Sequence, residues 1–268
     1  MAKLYRDVSI RVGVHGVGAH AIKTVLPAVE ACDALTLAGI STRNTGTLSE
    51  QSEIWGCPGW DSLAGMLSDA NLDVVFISSP IGCHFDDALD VLDAGLHVWC
   101  EKSLAFPDDN IDRLLSLSEA KDLALCVSCA PAFHPQFQRM RQLVSEGAIG
   151  HVHDIFGHFA FPHELRLRSR YSRYAGGSAL LDVGYYPLTL AVVLLDDVPE
   201  VVGSTLVSES GFEIDTGGGA LLKFSDSTIA SLQWGYGRDY VNRMRVVGEE
   251  GTIVASPAFS KPTHLDVS

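Results

Sequence analysis

At 268 residues and 47% hydrophobic content, the chain can bury one large core or two modest ones. A net charge of −14 argues against nucleic acid and anionic membranes as partners. No apolar run reads as long enough to span a bilayer, and the N-terminus lacks a signal-peptide core, so a cytoplasmic protein is expected. Six cysteines at 32, 57, 83, 100, 126 and 129 lie mostly in apolar contexts and read as reduced thiols. Cys126 and Cys129 form a C-x-x-C with no second pair to complete a zinc site, so both read as strand-interior residues.

Ile10, Val12 and Val14 read as a short buried strand. Gly16-Val17-Gly18-Ala19-His20-Ala21 follows, and a helical pattern then begins at Ala21. This G-x-G-x-x-A between strand and helix is the pattern of a dinucleotide site. Gly16 makes the tight turn, Gly18 admits a pyrophosphate, and Ala21 lets the helix pack close. A second strand, Leu35 to Ile40, ends in Ser41-Thr42-Arg43, with no acid to take a ribose 2′-hydroxyl. Ser41, Thr42 and Arg43 suit a 2′-phosphate, which favours NADP(H) over NAD(H).

Gln51 to Cys57 reads as the end of a short helix, and Asp61 as the cap of a helix over 62–68. The strand 73–80 ends at Ser79-Pro80, a helix starts at His84, and the strand 97–100 leads into Glu101-Lys102-Ser103. A helix over 108–121 and a strand over 123–129 complete an alternating series. The expectation is a doubly wound parallel sheet, an α/β Rossmann domain over residues 1–129, with its ligand edge at Ser79, Pro80, His84, Glu101 and Lys102. Residues 130–268 change character: a helix over 136–146, a helix over 178–195, and strands at 151–161, 200–209, 218–224, 228–236, 244–247 and 252–255. That is an α+β domain with a largely antiparallel open sheet. Ala220, Leu222 and Phe224 are expected on a helix-free face.

Lys102 follows a buried strand at the ligand edge, where an ammonium can hold a hydroxyl or carbonyl oxygen. Asp182 and Tyr186 stand at i and i+4 on the later helix, on one face. A tyrosine there is either a proton relay to a carbonyl oxygen or a core phenol satisfied by Asp182; spacing alone leaves both open. His151 and His153 share a strand face with no third ligand, and no metal is expected. His84 and His134 rank below Lys102, Asp182 and Tyr186. Arg166, Arg168, Arg170 and Arg173, just before the later helix, are either a solvated loop or contacts for a substrate phosphate.

The segments Val12 to Gly18, Gly95 to Lys102, Gly147 to Gly150 and Gly177 to Pro187 resemble the Gfo/Idh/MocA oxidoreductases, from about Ile10 to the C-terminus. The resemblance implies a Rossmann domain, a second domain with an open antiparallel sheet, and hydride transfer between NAD(P) and a sugar-like alcohol or ketone. It assigns Lys102 to substrate binding, Asp182 to the second motif, and Tyr186 to proton transfer. Many members have histidine at the Tyr186 position, and the glucose–fructose oxidoreductase, dihydrodiol dehydrogenase and sugar 3-ketoreductase branches have tyrosine. Three departures stand out. Ser103 takes the place of the usual proline after Glu-Lys, and Ala132 that of an arginine. The chain is also roughly fifty or more residues shorter than a typical member by domain-size reckoning. The expected substrate is a sugar or nucleotide-sugar, and the expected assembly a homodimer or dimer of dimers. The competing expectations are a dihydrodiol-dehydrogenase-like enzyme on a non-sugar substrate and a non-catalytic NADP-binding regulatory protein.

Overall fold

The computed structural model describes residues 9–106, 109–163, 168–256, 258–261 and 264–268. The chain divides into two compact units, Met1–Ser128 and Cys129–Ser268.

In the first unit β1 (Ile10–His15) leads into a wide helical turn, Ala21–Val25, that continues as α1 (Leu26–Glu30). Then come β2 (Leu35–Ser41), α2 (Thr45–Trp55), β3 (Gly59–Trp60), α3 (Leu63–Asp69), β4 (Val74–Ile77), α4 (Ile81–Asp93), β5 (His97–Cys100), α5 (Ile111–Lys121) and β6 (Leu125–Val127). The strands form one parallel sheet in the order β3-β2-β1-β4-β5-β6. The order reverses between β1 and β4, and the crevice outside the carboxyl ends at such a reversal is where ligands bind in this architecture.

Helices cover both faces, so the centres of the strands are apolar on both sides, with polar residues such as Arg11, His15 and Ser41 at the ends. Val12 and Val14 join Leu26, Val29 and Ile40 on one face. Val75, Ile77, Val98 and Cys100 join Leu63, Met66, Leu89 and Leu114 on the other. Gly13 leaves room for Leu72 and Met66, whose side chains occupy the space a Cβ would take.

Some boundaries differ from the sequence reading. The cap of α3 is Ser62, whose hydroxyl accepts from Gly65 N–H at 3.2 Å, and not Asp61, which stands one residue too early to reach the third helical amide. The α4 helix begins at Ile81, behind Pro80, almost a turn before His84. Cys126 lies in β6 but is exposed, and buried Cys129 lies beyond that strand's end.

The second unit opens with a short 3-10 turn, Ala130–Phe133, and α6 (Pro135–Ser145). There follow β7 (Val152–Phe161), 3-10 turns at Arg168–Tyr171 and Arg173–Ala175, a wide turn at Leu180–Gly184, and α7 (Tyr185–Leu195). The strands β8 (Glu200–Val207), β9 (Gly217–Lys223), β10 (Ile229–Tyr236), β11 (Val241–Gly248), β12 (Thr252–Ser256) and β13 (His264–Val267) complete it. The sheet order is β13-β12-β11-β7-β10-β9-β8, antiparallel except for the parallel pair β7–β10. Phe137 and Met140 of α6 and Leu190 and Leu194 of α7 pack on Ile155, Leu222, Leu232, Met244 and Val246 from one face.

Leu222 and Phe224 are buried in that core, with Ala220 packed against it, which corrects their expected place on the helix-free face. Side chains alternate along a strand, so a reading one residue out of phase exchanges the two faces. The outward row is Leu221, Ser231, Phe156 and Arg245, paired across β9, β10, β7 and β11. The helical stretch Arg173–Leu195 is long and apolar enough to cross a membrane, contrary to the sequence reading. Here its Leu190, Ala191 and Leu194 are buried in the unit's own core.

Arg11 and Asp73 pin the amino ends of β1 and β4. Asp73 accepts from the Arg11 backbone N–H at 2.8 Å, from Nε at 3.0 Å and from Nη2 at 2.6 Å. Hydrogen bonds from Arg11 hold the Asp73 carboxyl down to about 2, from an ordinary 3.8. A depressed carboxylate stabilises the fold fully above its unfolded value and stops doing so as pH falls through its folded value. Urea unfolding of Asp73→Asn is therefore expected to show a flatter loss of stability than wild type between about pH 4 and pH 2.

Candidate active site

The ligand edge of the first unit starts at the glycine-rich turn. Gly16 has φ +85°, and a Cβ there would collide with the Ser79 backbone. The turn is drawn tight by Gly16 N–H donating to Ser41 O and Gly18 N–H donating to Gly16 O, both at 2.9 Å. Val17 is buried, Gly18 and Ala19 are exposed, and nothing lies within 4 Å of where a Gly18 Cβ would be. Open space over a glycine before a helix start fits a pyrophosphate.

At the end of β2, Ser41 is fully buried and its hydroxyl lies 2.7 Å from His15 Nδ1. Thr42 is half-buried and Arg43 exposed beyond it, and Asn44 caps α2 by accepting from Thr47 N–H at 3.0 Å. No carboxylate occupies the strand tip. The tip therefore suits a phosphate better than a bare ribose hydroxyl.

After β4, the Ser79 hydroxyl donates to Asp87 at 2.5 Å, and Asp87 stands 3.5 Å from His15 Nε2. Burial opposes ionisation of Asp87, but hydrogen bonds from His15 and Ser79 outweigh it and hold the carboxyl below its ordinary range. Pro80 is exposed. His84 is 1% exposed, with Nε2 2.7 Å from Ser79 O and Nδ1 2.8 Å from Ser103 O. The sequence reading set this ring at the ligand edge; in the structure both nitrogens lie against backbone carbonyls. After β5, Glu101 and Lys102 are half-buried. Glu101 lies 3.3 Å from His20 Nε2 and raises that imidazole's pKa, against burial and the Lys102 charge. The Lys102–Ser103 peptide bond is cis.

In the second unit, Asp182 sits in the wide turn that begins the α7 stretch. It accepts from the Tyr236 hydroxyl at 2.9 Å and pairs with Arg170 Nε at 3.0 Å. Burial, then the Asp182 charge, push the Tyr236 phenol well above its usual value. Gly184 lies against the Trp234 ring, where a Cβ would come within 2.8 Å. Tyr186 is half-buried, its ring 5.7 Å from those of Phe159 and Tyr185.

Of the arginine run, Arg170 pairs with Asp182 and lies 5.1 Å over the Phe161 ring, and Arg173 is exposed. Arg166 and the Arg168 side chain lie outside the described residues. Sequence reasoning missed Tyr236. It reads as one more alternating core residue of β10, and its partner depends on a pairing no local pattern displays. Among the described residues, no three His, Cys, Asp or Glu side chains gather as a metal site.

A parallel sheet with a glycine-rich turn at its switch point is the architecture of a dinucleotide-binding domain, here joined to a second α+β unit. Residues 10–129 match the profile of the oxidoreductase family with an NAD-binding Rossmann fold, and residues 137–254 match that of the GFO/IDH/MocA C-terminal domain. The chain belongs to the Gfo/Idh/MocA family and is an oxidoreductase. It is 31% identical over 255 residues to a dTDP-3,4-didehydro-2,6-dideoxy-alpha-D-glucose 3-reductase of Streptomyces violaceoruber, covering 95% of this chain and 75% of that one. It is 28% identical over 254 residues to D-xylose 1-dehydrogenase (NADP(+)) 2 of Haloferax volcanii, covering 92% and 76%. Among solved structures, it is similar to KijD10, a 3-ketoreductase from Actinomadura kijaniata in complex with NADP and TDP-benzene. The TM-score is 0.88 at 28% identity, covering 97% of this chain and 84% of that one.

Proposed function

We propose that the chain is an NADP(H)-dependent reductase or dehydrogenase acting on a hydroxyl or keto carbon of a nucleotide-linked sugar. The observation that carries this reading is similarity along 95% of the chain to a reductase of a dTDP-linked sugar. Three things support NADP(H): Thr42 and Arg43 at a strand tip without an acid, the NADP in the KijD10 complex, and the NADP-dependent xylose dehydrogenase.

The residues fit the cofactor in a consistent order. Gly16, Val17, Gly18 and Ala19 offer backbone and open space to the pyrophosphate. Thr42 and Arg43 take the 2′-phosphate, with Ser41 supporting the tip from below. Ser79, Pro80, Glu101 and Lys102 line the edge toward the nicotinamide. Bound NADP(H) supplies or takes the hydride. The chain's own groups then manage the oxygen on the reacting carbon, which must gain or lose a proton in the same step.

In this reading Tyr186 is the proton donor or acceptor. A free phenol ionises near pH 10, so an adjacent positive charge must favour its phenolate at neutral pH. Lys102 supplies that charge and holds the oxygen. Asp182 fixes Tyr236 and Arg170 beside the turn that carries Tyr186 toward substrate. The helix-free sheet face with exposed Phe156 and Leu221, together with a fully exposed edge strand β8, supports a homodimer or dimer of dimers through that side.

Tyr186→Phe is expected to lower turnover by about 10²–10⁴, the usual worth of a positioned acid–base group, with NADPH affinity unchanged. Lys102→Ala should damage both rate and substrate binding, and the double variant should fall short of the summed losses because the two groups act on one oxygen. A Tyr186→Phe enzyme with near wild-type turnover would overturn the assignment. Arg43→Ala should weaken NADPH binding by about 1–3 kcal/mol in titration and leave NADH nearly unaffected. Tighter binding of NADH than NADPH by the wild type would reverse the cofactor assignment. Sedimentation at micromolar concentration checks the assembly, and a monomer would contradict it.

A further inference from the structure

Resting on the reading of Lys102 as the lysine that holds the reacting oxygen, we propose that His84 is its positioning residue. His84 ties the Lys102–Ser103 segment to the ligand edge of the first sheet.

Three observations carry this. First, the ring joins two loops that have no sequence proximity. Ser79 follows β4 and Ser103 follows β5, and the imidazole spans their carbonyl oxygens at 2.7 and 2.8 Å. Both carbonyls can only accept, so a neutral ring donates to one of them and lies against the other, and only a ring protonated on both nitrogens donates to both. Second, the ring is 1% exposed and Ser103 is 7% exposed, so water cannot readily replace either contact. The Ser103 carbonyl belongs to the residue directly after Lys102, and fixing it limits the backbone from which the Lys102 side chain projects. Third, the Ser79 end is itself anchored. Its hydroxyl is bonded to Asp87, Asp87 stands against His15, and His15 lies against the Ser41 hydroxyl at the end of β2. The Ser79 backbone also fills the space beside Gly16. The Lys102 segment is thus braced to the structure that forms the glycine-rich turn.

A histidine that merely filled space would be served by any side chain of similar volume. A brace needs an N–H aimed at a carbonyl and a ring that spans the two loops, and its removal costs geometry at Lys102 rather than cofactor affinity. Misplacement of a catalytic group by about 1 Å lowers rates by about 10²-fold.

The test compares wild type, His84→Ala and His84→Gln as full-length proteins. Lys102 is pulse-labelled with acetic anhydride and quantified by peptide mass spectrometry against exposed Lys23, alongside NADPH titration and the pH profile of kcat. For His84→Ala, Lys102 labelling should rise severalfold, kcat should fall by about 10–100-fold with its pH profile displaced, and NADPH affinity should hold. His84→Gln, whose carboxamide keeps two N–H donors on one nitrogen, should lie between Ala and wild type. A folded His84→Ala protein with wild-type Lys102 labelling and pH profile overturns the proposal. If His84→Ala does not fold, wild-type labelling and pH profile in His84→Gln overturn it equally. Labelling needs no turnover, so the two readings separate. A Lys102→Ala enzyme of normal activity with altered labelling in His84→Ala removes the catalytic role of Lys102 and leaves the brace standing.

Discussion

The ligand edge of the first unit depends on one close approach of backbone to backbone. The turn after β1 passes so near Ser79 that residue 16 can only be glycine, both for its positive φ and for want of room for a Cβ. That contact brings the ends of β1 and β4 together at the point where the strand order reverses. The polar groups around it are then satisfied internally: Ser41 by His15, Ser79 by Asp87, and the Ser79 carbonyl by His84. Buried polar networks rigidify when every member has a partner. The glycine thus fixes more than its own turn, because the loops bearing Arg43 and Lys102 hang from the same set of contacts.

Charge makes the arrangement demanding. A chain of net charge −14 repels an anionic dinucleotide at long range. In the proposed reading, binding comes from short-range groups: the backbone amides of the turn and the exposed arginine at the end of β2. In the second unit a comparable constraint falls on Asp182, whose carboxylate is matched by Arg170 and the Tyr236 hydroxyl. Gly184 lets the helical turn pass over the Trp234 ring. The motif glycine two residues after the aspartate is therefore explained by packing.

The sequence showed the fold class more plainly than the site. Alternation of apolar strands with helices, and a glycine turn directly after Val12 and Val14, are local signals and survive in the structure. The facing of β9 was not legible. A run as apolar as Ala220-Leu221-Leu222 has no polar phase marker, and only pairing with β8 and β10 shows which residues point inward. Capping at Ser62 was one residue from the sequence reading, the usual scale of uncertainty in boundaries. Lys102, Asp182 and Tyr186 stood out through their types and spacing. The partners of Asp182 did not, because Tyr236 reaches it only once β10 has taken its place in the sheet and Arg170 only once the intervening turns have folded. Arg170 is an example: its sequence setting left a solvated loop and a phosphate contact both open, and in the structure it pairs with Asp182.

The central claim is that hydride passes between NADP(H) and a hydroxyl or keto carbon of a nucleotide-linked sugar while the chain moves the proton of its oxygen, a transfer that can be followed in the reductive direction. The direct measurement uses NADPH deuterated at C4 on the transferred side, a dTDP-linked 3-keto sugar, and mass spectrometry of both products. The account predicts one deuterium on the former keto carbon for each NADP+ formed, and no comparable turnover with NADH. Failure to oxidise NADPH with any nucleotide-linked sugar, or turnover confined to free aldoses, would contradict it.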